Sequence, residues 1–368
     1  MYNYWKLEEV CEILDSQRIP ITAKDRKEGP YPYYGANGIQ DFVSDYIFDD
    51  ELVLLAEDGG NFGSTERPIA YRVSGKCWVN NHAHVLKAKE SINIDYLCYS
   101  LMFYNTNGLV NGATRQKLTQ AAMRQMKIPS RTLQEQDKIV EKIKLVFEAI
   151  SIKKEELENL ELLVKARFVE LFGDPQDNPK GYDKRQLKET CKVITGNTPS
   201  RAVSEYYGEH IEWIKTDNIV NGLINPTSAA ESLSEKGMTV SRTVEKDSIL
   251  MACIAGSVSS IGRVCITDRK VAFNQQINAI VPNDYNTLFL YVMLQISKAY
   301  LVEGINMALK GILSKSKLEE KELIVPPMEL QEEFATFVEQ IDKSKLIVKK
   351  QLEELETLKK SLMQKYFG

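Results

Sequence analysis

Ile128-Pro129-Ser130-Arg131-Thr132-Leu133-Gln134-Glu135-Gln136 returns later in the chain as Val325-Pro326-Pro327-Met328-Glu329-Leu330-Gln331-Glu332-Glu333, and this repetition decides how the 368 residues divide. After each copy comes a long, charge-rich stretch without Gly or Pro, Leu133 to Phe172 and Leu330 to Phe367. The two stretches close on Leu171-Phe172-Gly173 and Tyr366-Phe367-Gly368. Two equivalent units of about half the chain each are implied.

Inside the first stretch, apolar residues recur at alternating steps of three and four: Ile139, Ile143, Val146, Ile150, Leu157, Leu160, Val164 and Leu171. The second carries Phe334, Phe337, Ile341, Val348, Leu352, Leu355, Leu362 and Tyr366. A 3.5-residue stripe with Glu and Lys on the remaining faces is the pattern of a coiled-coil seam, interrupted in the first stretch at Lys153 and Arg167, beside which stand Ile152 and Phe168. Each stretch follows a Pro that favours an extended entry and ends at a Gly that favours a helix stop. The expectation is two long helices packed on each other; the alternative is two helices each packed on its own globular unit.

Gly173-Asp174-Pro175-Gln176-Asp177-Asn178-Pro179-Lys180-Gly181 cannot continue a helix and reads as a linker. The regions before each helix are globular units of mixed strands and short helices. Trp78 to Leu86 and Ser248 to Ile254 are strand-like, and weaker internal matches join Leu7-Glu8-Glu9-Val10-Cys11 to Leu187-Lys188-Glu189-Thr190-Cys191 and Val79 to Val85 to Phe273 to Ala279. The expected class is α+β: globular domains at 1–129 and 174–326, long helices at 130–173 and 327–368 forming an antiparallel coiled coil, and a pseudo-twofold internal repeat.

Composition narrows the function. With 43% hydrophobic and 27% charged residues the chain reads as folded and soluble, with no run of about 20 apolar residues and no leader-like start; a cytoplasmic location is expected. The six cysteines have no Cys-x-x-Cys spacing and read as buried reduced thiols, and three histidines are too few for a metal centre. No phosphate-binding Gly-Lys-Ser/Thr loop and no Asn-Pro-Pro-aromatic motif is present, and Asn178-Pro179 and Asn225-Pro226 lack the second Pro and the aromatic. A non-catalytic chain is expected. A net charge of −4 opposes general attraction to phosphate, so nucleic-acid contact would need local patches, and the isolated chain should bind weakly.

The order of globular unit, Pro with a Leu-x-Glu-Gln-like helix start, long helix, Phe172-Gly173-Asp174-Pro175 with Asn178-Pro179-Lys180-Gly181, second unit, Pro326-Pro327 with Leu330-Gln331-Glu332 and final helix resembles the specificity subunits of Type I restriction-modification enzymes over essentially the whole chain. That resemblance implies two target-recognition domains that each read one half of a bipartite double-stranded DNA site, with the helices setting the spacer and docking two methyltransferase subunits. It also implies that a motor-nuclease subunit joins the assembly and that S-adenosylmethionine, ATP and Mg belong to the partners, this chain holding no cofactor. A helix of about 60 Å, at ~1.5 Å per residue, exceeds one DNA turn of ~34 Å. The other readings are a recognition module of a different methyltransferase-nuclease system and a coiled-coil scaffold that binds no DNA.

Base edges are read by Arg to guanine and by Asn or Gln to adenine, while phosphates take Lys, Arg, Ser and Thr. In the first unit the candidates are Tyr33, Tyr34, Asn37, Asp58, Asn61, Asn80, Asn81, His82, Arg115, Gln116 and Lys117. In the second they are Thr198, Ser200, Arg201, Lys215, Thr216, Asn218, Ser257, Ser259, Arg263, Asn274, Gln275, Gln276, Lys310 and Lys315. Glycines beside them, such as Gly196 and Gly256, are expected to let the backbone approach a phosphate.

Overall fold

The computed structural model describes residues 3–112, 115–257, 259–305 and 311–368. Four helices organise it: α1 (Ile94–Met102), α2 (Leu133–Phe172), α3 (Thr287–Ile296) and α4 (Met328–Phe367). Contacts divide the chain into two compact units, one of residues 1–155 with 349–368 and one of residues 156–348, so each long helix gives one part to each unit.

Helices α2 and α4 are both 40 residues long. Helix α2 opens on a capping box: Thr132 Oγ1 accepts from Glu135 N at 3.3 Å while a Glu135 carboxylate oxygen accepts from Thr132 N at 2.9 Å. Helix α4 has Pro327 instead, whose fixed φ suits a helix entry, and it begins at Met328, two residues before Leu330. The equivalent positions are therefore 195 apart, not 197 as the motif letters suggest, and the partner of Gln331 is the buried Gln136 and not the exposed Gln134. Gly173, with φ of 77°, ends α2, and its N–H returns to Val169 O at 2.8 Å.

In the first unit α2 buries Ile139, Val140 and Ile143 against Leu97, Leu101 and Met126 and against Met363 of α4. Tyr99 stacks on Phe147, with centroids 5.7 Å apart, and Tyr96 meets Phe367 edge to face at 5.2 Å. Lys154 pairs with Glu356 at 3.6 Å, and Arg131 Nη2 reaches Tyr366 O at 3.4 Å, so the two segments run antiparallel. The second unit closes around Phe168, Phe172, Phe289 and Phe334, whose nearest centroids lie 4.8 Å apart, and Arg167 pairs with Glu333 at 2.9 Å. Truncating one such ring costs about 3–5 kcal/mol. Both sequence expectations hold at once: each helix packs on its own globular region and also on the other helix. At the seam interruptions Phe168 is buried, whereas Ile152 is turned to solvent.

The first unit holds a six-stranded sheet in the order Cys11–Ile13, Ala83–Ala88, Phe48–Ala56, Ala70–Val79, Tyr31–Gly35, Gly38–Val43. Its Tyr31–Gly35 and Ala70–Val79 strands run parallel. The second holds two four-stranded sheets, Cys191–Thr195, Ile277–Pro282, Ile249–Ala252, Val264–Ile266 and Ser232–Leu233, Tyr207–Ile214, Val271–Phe273, Thr243–Val244. Its parallel pair is Tyr207–Ile214 with Val271–Phe273. The weak internal matches are structural equivalents. Short helices Leu7–Val10 and Leu187–Thr190 each precede a strand that begins at a buried Cys. The stretch Trp78 to Leu86 is two strands, broken at Asn80-Asn81-His82, where Asn80 Oδ1 accepts from His82 N at 2.8 Å; Asn274 Oδ1 does the same for Gln276 N at 3.1 Å.

All six cysteines are free and buried, and burial pushes their thiols up to about 12. Among the described residues no helix is long and apolar enough to cross a membrane.

Candidate nucleic-acid interface

The first unit gathers most of its expected residues at one end of the sheet. Strand Phe48–Ala56 delivers Glu57 and Asp58, the strand break delivers His82, and the segment returning to Lys117–Leu118 delivers Arg115, Gln116 and Lys117. Arg115 Nε lies 2.5 Å from Asp58 Oδ1, His82 Nδ1 lies 3.5 Å from Asp58 Oδ2 and Lys117 Nζ lies 3.1 Å from Glu57 Oε1. Gln116 O accepts from Gly59 N at 3.1 Å, and Asn37 Nδ2 donates to Gly59 O at 3.1 Å. Asn37 and Asn61 line an open cleft of about 620 Å³ with Tyr34, Tyr71 and Arg67. Asn81 is exposed at the turn.

Behind this surface sits an ion network that the sequence reading missed. Asp15 accepts from His84 Nδ1 at 2.7 Å, from Val85 N at 2.9 Å and from Gln120 Nε2 at 2.9 Å, while His84 Nε2 donates to Leu118 O at 2.9 Å. Arg18 spans Glu57 at 2.7 Å and Asp15 at 3.6 Å. Burial works against the Asp15 carboxylate, but His84, Val85 and Gln120 outweigh it and hold its pKa below the ordinary value. Glu57 is lowered in the same way, against burial, by Arg18, His84 and Lys117. Asp15, Glu57 and His84 each offer a ligand atom within 4.8 Å of the others. Arg18, Lys117 and Gln120 already serve that space, so the set acts as a network of charges that supports Glu57 and Leu118 from within.

The second unit builds its surface differently. Arg201 Nη2 lies 2.6 Å and Lys215 Nζ 3.1 Å from Glu231, and both cations cover rings: Arg201 is 4.4 Å from the Tyr207 centroid and Lys215 is 5.0 Å from that of Trp213. The hydrogen bond from Arg201, then that from Lys215, hold Glu231 below its ordinary pKa. Alongside, Arg263 donates to Ser260 O at 3.3 Å and to Thr216 O at 3.5 Å, and Ser257 and Ser259 join through their hydroxyls at 3.0 Å. Lys298, unremarked in the sequence, donates to Ser259 O at 2.6 Å. Thr198 donates to Gln275, and Ser200 is exposed beside them.

Several expected contacts are corrected. Tyr33 is 1% exposed, with its hydroxyl donating to Ile21 O at 3.3 Å. Asn80 and Asn274, 3% and 6% exposed, are committed to their turns. Gln276 accepts from Asn274 Nδ2 at 3.2 Å. Asn218 caps Lys215 N at 2.9 Å and donates to Thr227 and Ser228, leaving its amide engaged. Lys315 is not among these: it is exposed and pairs with Glu319 at 3.4 Å along its own short helix, and Lys310 lies outside the described residues. Gly196 serves an approach within the protein: a Cβ there would meet Asn274 O at 2.2 Å.

Each unit thus presents Arg, Lys and amide groups on turns and strand ends, with Arg115, Lys117, Arg201 and Lys215 resting on carboxylates. Exposed pairs of this kind are worth about 0–1 kcal/mol, so a phosphate or base edge can take over the cation at small cost.

The description Type I restriction modification DNA specificity domain matches residues 2–162 and 179–357, well over half of the chain. The chain belongs to that family, and it is of the specificity-subunit type. A Haemophilus influenzae protein described as a type I restriction enzyme specificity subunit is 42% identical over 137 residues, 37% of this chain and 35% of that protein. The MjaIX specificity subunit of Methanocaldococcus jannaschii is 29% identical over 195 residues, covering 51% of this chain and 44% of the relative. The chain therefore spans less than half the length of these two relatives. The crystal structure of a Type I restriction-modification S subunit from M. genitalium shares the fold, with a TM-score of 0.60 at 14% identity over 100% of this chain and 96% of that one.

Proposed function

We propose that this chain is the non-catalytic DNA-recognition subunit of a Type I restriction-modification complex, each globular region reading one half of a split site. The observation that carries the reading is a shared plan with different surfaces. Equivalent turns, built on Asn80 and Asn274, support a Glu57, Asp58, Arg115 and Lys117 cluster in one unit and an Arg201, Lys215 and Glu231 cluster on aromatic rings in the other. Unlike side chains on a common frame suit two different half-sites. The helices set the spacing and dock two methyltransferase subunits; exposed Leu145, Ile152, Leu162, Leu346 and Ile347 supply apolar contact on their outer faces. A motor-nuclease subunit joins through that assembly, and S-adenosylmethionine, ATP and Mg sit on the partners.

Co-expression with the neighbouring methyltransferase, followed by mapping of methylated adenines, tests this. A split methylated site is expected, one half of which changes when residues 1–125 are exchanged for those of another allele. An unchanged site after the exchange would sink the reading.

A further inference from the structure

The two units share one more feature, buried and polar, that DNA contact does not use. Gln136 in α2 is 0% exposed and Gln331 in α4 is 1% exposed, each the fourth residue of its helix. Gln136 Oε1 accepts from Asn93 N at 2.7 Å, and its Nε2 donates to Arg131 O at 2.9 Å and Ser91 O at 3.2 Å. Gln331 Oε1 accepts from Asn286 N at 3.0 Å, and its Nε2 donates to Pro326 O at 2.8 Å. Asn93 and Asn286 are the N-caps of α1 and α3, the helices laid against the sheets. In both units one amide therefore bolts the first turn of a long helix to the cap of the globular region's own helix. A tyrosine hydroxyl adds a second tie just before the long helix, Tyr96 to Pro129 O at 2.9 Å and Tyr285 to Ile324 O at 3.1 Å.

An amide donates and accepts from one planar group, so Gln fixes rotation as well as distance. A carboxylate would lose the donor and a thioether both. Inserting one base pair between half-sites turns one half relative to the other by roughly a tenth of a turn and shifts it by about 3.4 Å. A globular region that could swivel on its helix would follow that displacement.

We propose that Gln136 and Gln331 are positioning residues that lock each globular region in rotation on its long helix, and that they thereby confine the complex to one spacer length. This rests on the split-site reading above.

The test uses the full chain in complex with its methyltransferase and duplexes carrying both half-sites separated by the preferred spacer, one pair fewer and one pair more. Gln136→Met and Gln331→Met are expected to raise methylation at the flanking spacers relative to the preferred one about fivefold, with half-site sequences unchanged. Gln134→Met, on the exposed face, should leave the ratio alone. If Gln136→Met does not fold, Tyr96→Phe, which keeps the ring and removes the hydroxyl that donates to Pro129 O, should move the ratio in the same direction. A ratio unchanged in folded complexes overturns the lock, as does a change in half-site sequence. A wild-type complex that methylates no split site overturns the underlying reading instead.

Discussion

The two units solve the same local problem with opposite chemistry. In the first, the end of strand Cys11–Ile13 leads to Asp15, which meets buried His84 on the neighbouring strand at 2.7 Å. In the second, strand Cys191–Thr195 places Thr195 against Asn278, where the threonine hydroxyl donates to Oδ1 at 2.7 Å. The positions correspond, since Cys11 and Cys191 open the two strands and His84 and Asn278 each stand four residues after the turn asparagine. One unit therefore buries a charged pair tied to its surface carboxylate Glu57, the other a neutral pair. The difference teaches that the shared frame needs only a hydrogen bond here, and that the ionic version couples the frame to the loop it supports.

Breaking each pair should expose the contrast most strongly. Asp15→Ala takes the buried carboxylate away from His84 Nδ1 and Val85 N, while Arg18 keeps Glu57, and is expected to cost about 3–5 kcal/mol in denaturant unfolding. Thr195→Val removes one neutral bond and should cost about 1–3 kcal/mol. Equal losses would erase the distinction. Acid gives a second handle. Asp15 and Glu57 have pKa values below their ordinary ones in the folded chain, so their contribution is present above the ordinary carboxylate range of about 4 and is lost as pH falls through the folded values. Hydrogen exchange should show strand Ala83–Ala88 losing protection at a higher pH than strand Ile277–Pro282. Transplanting the neutral pair, Asp15→Thr with His84→Asn, should narrow that gap, and a gap left intact would assign the acid response elsewhere. The smallest effect on stability is expected from Glu231→Gln, which frees exposed Arg201 and half-buried Lys215 at a change below about 1 kcal/mol. The same variant should strengthen binding of the assembled complex to duplex of random sequence at low salt, measured by titration; weaker binding would contradict the view that Glu231 holds those cations in reserve.

The long helices were legible because a 3.5-residue stripe survives in sequence whatever the tertiary context, and the repeat was legible because its letters recur. Its register was not. Pro129 and Pro326 align by eye, but three residues, Ser130, Arg131 and Thr132, stand between Pro129 and the start of α2, whereas Pro327 alone stands between Pro326 and the start of α4, so burial pairs Gln331 with Gln136. The globular regions were harder to read for a different reason. Phe48–Ala56 lies inside its sheet and is buried in a run from Leu52 to Ala56, which removes the alternation that marks a half-exposed strand, whereas the equally buried run Ile249–Ala252 was short enough to read as a strand. Among candidate residues, Arg115, Lys117, Arg201 and Lys215 can be singled out in sequence because clustered cations in polar loops are a direct signal. Arg18 and Glu231 were missed because each is distant in sequence from the groups it pairs with, and Tyr33, Asn80 and Asn274 were overcalled because a polar side chain that serves its own backbone looks the same in sequence as one that serves a ligand.

The first unit's core includes Met363, with Tyr366 and Phe367 packed beside it, although the rest of that core lies before residue 156. On the ribosome, Ile139, Ile143 and Tyr96 would be made long before the segment that covers them. The first unit can finish folding only after the second has been synthesised, and in the interval its greasy flank stays uncovered.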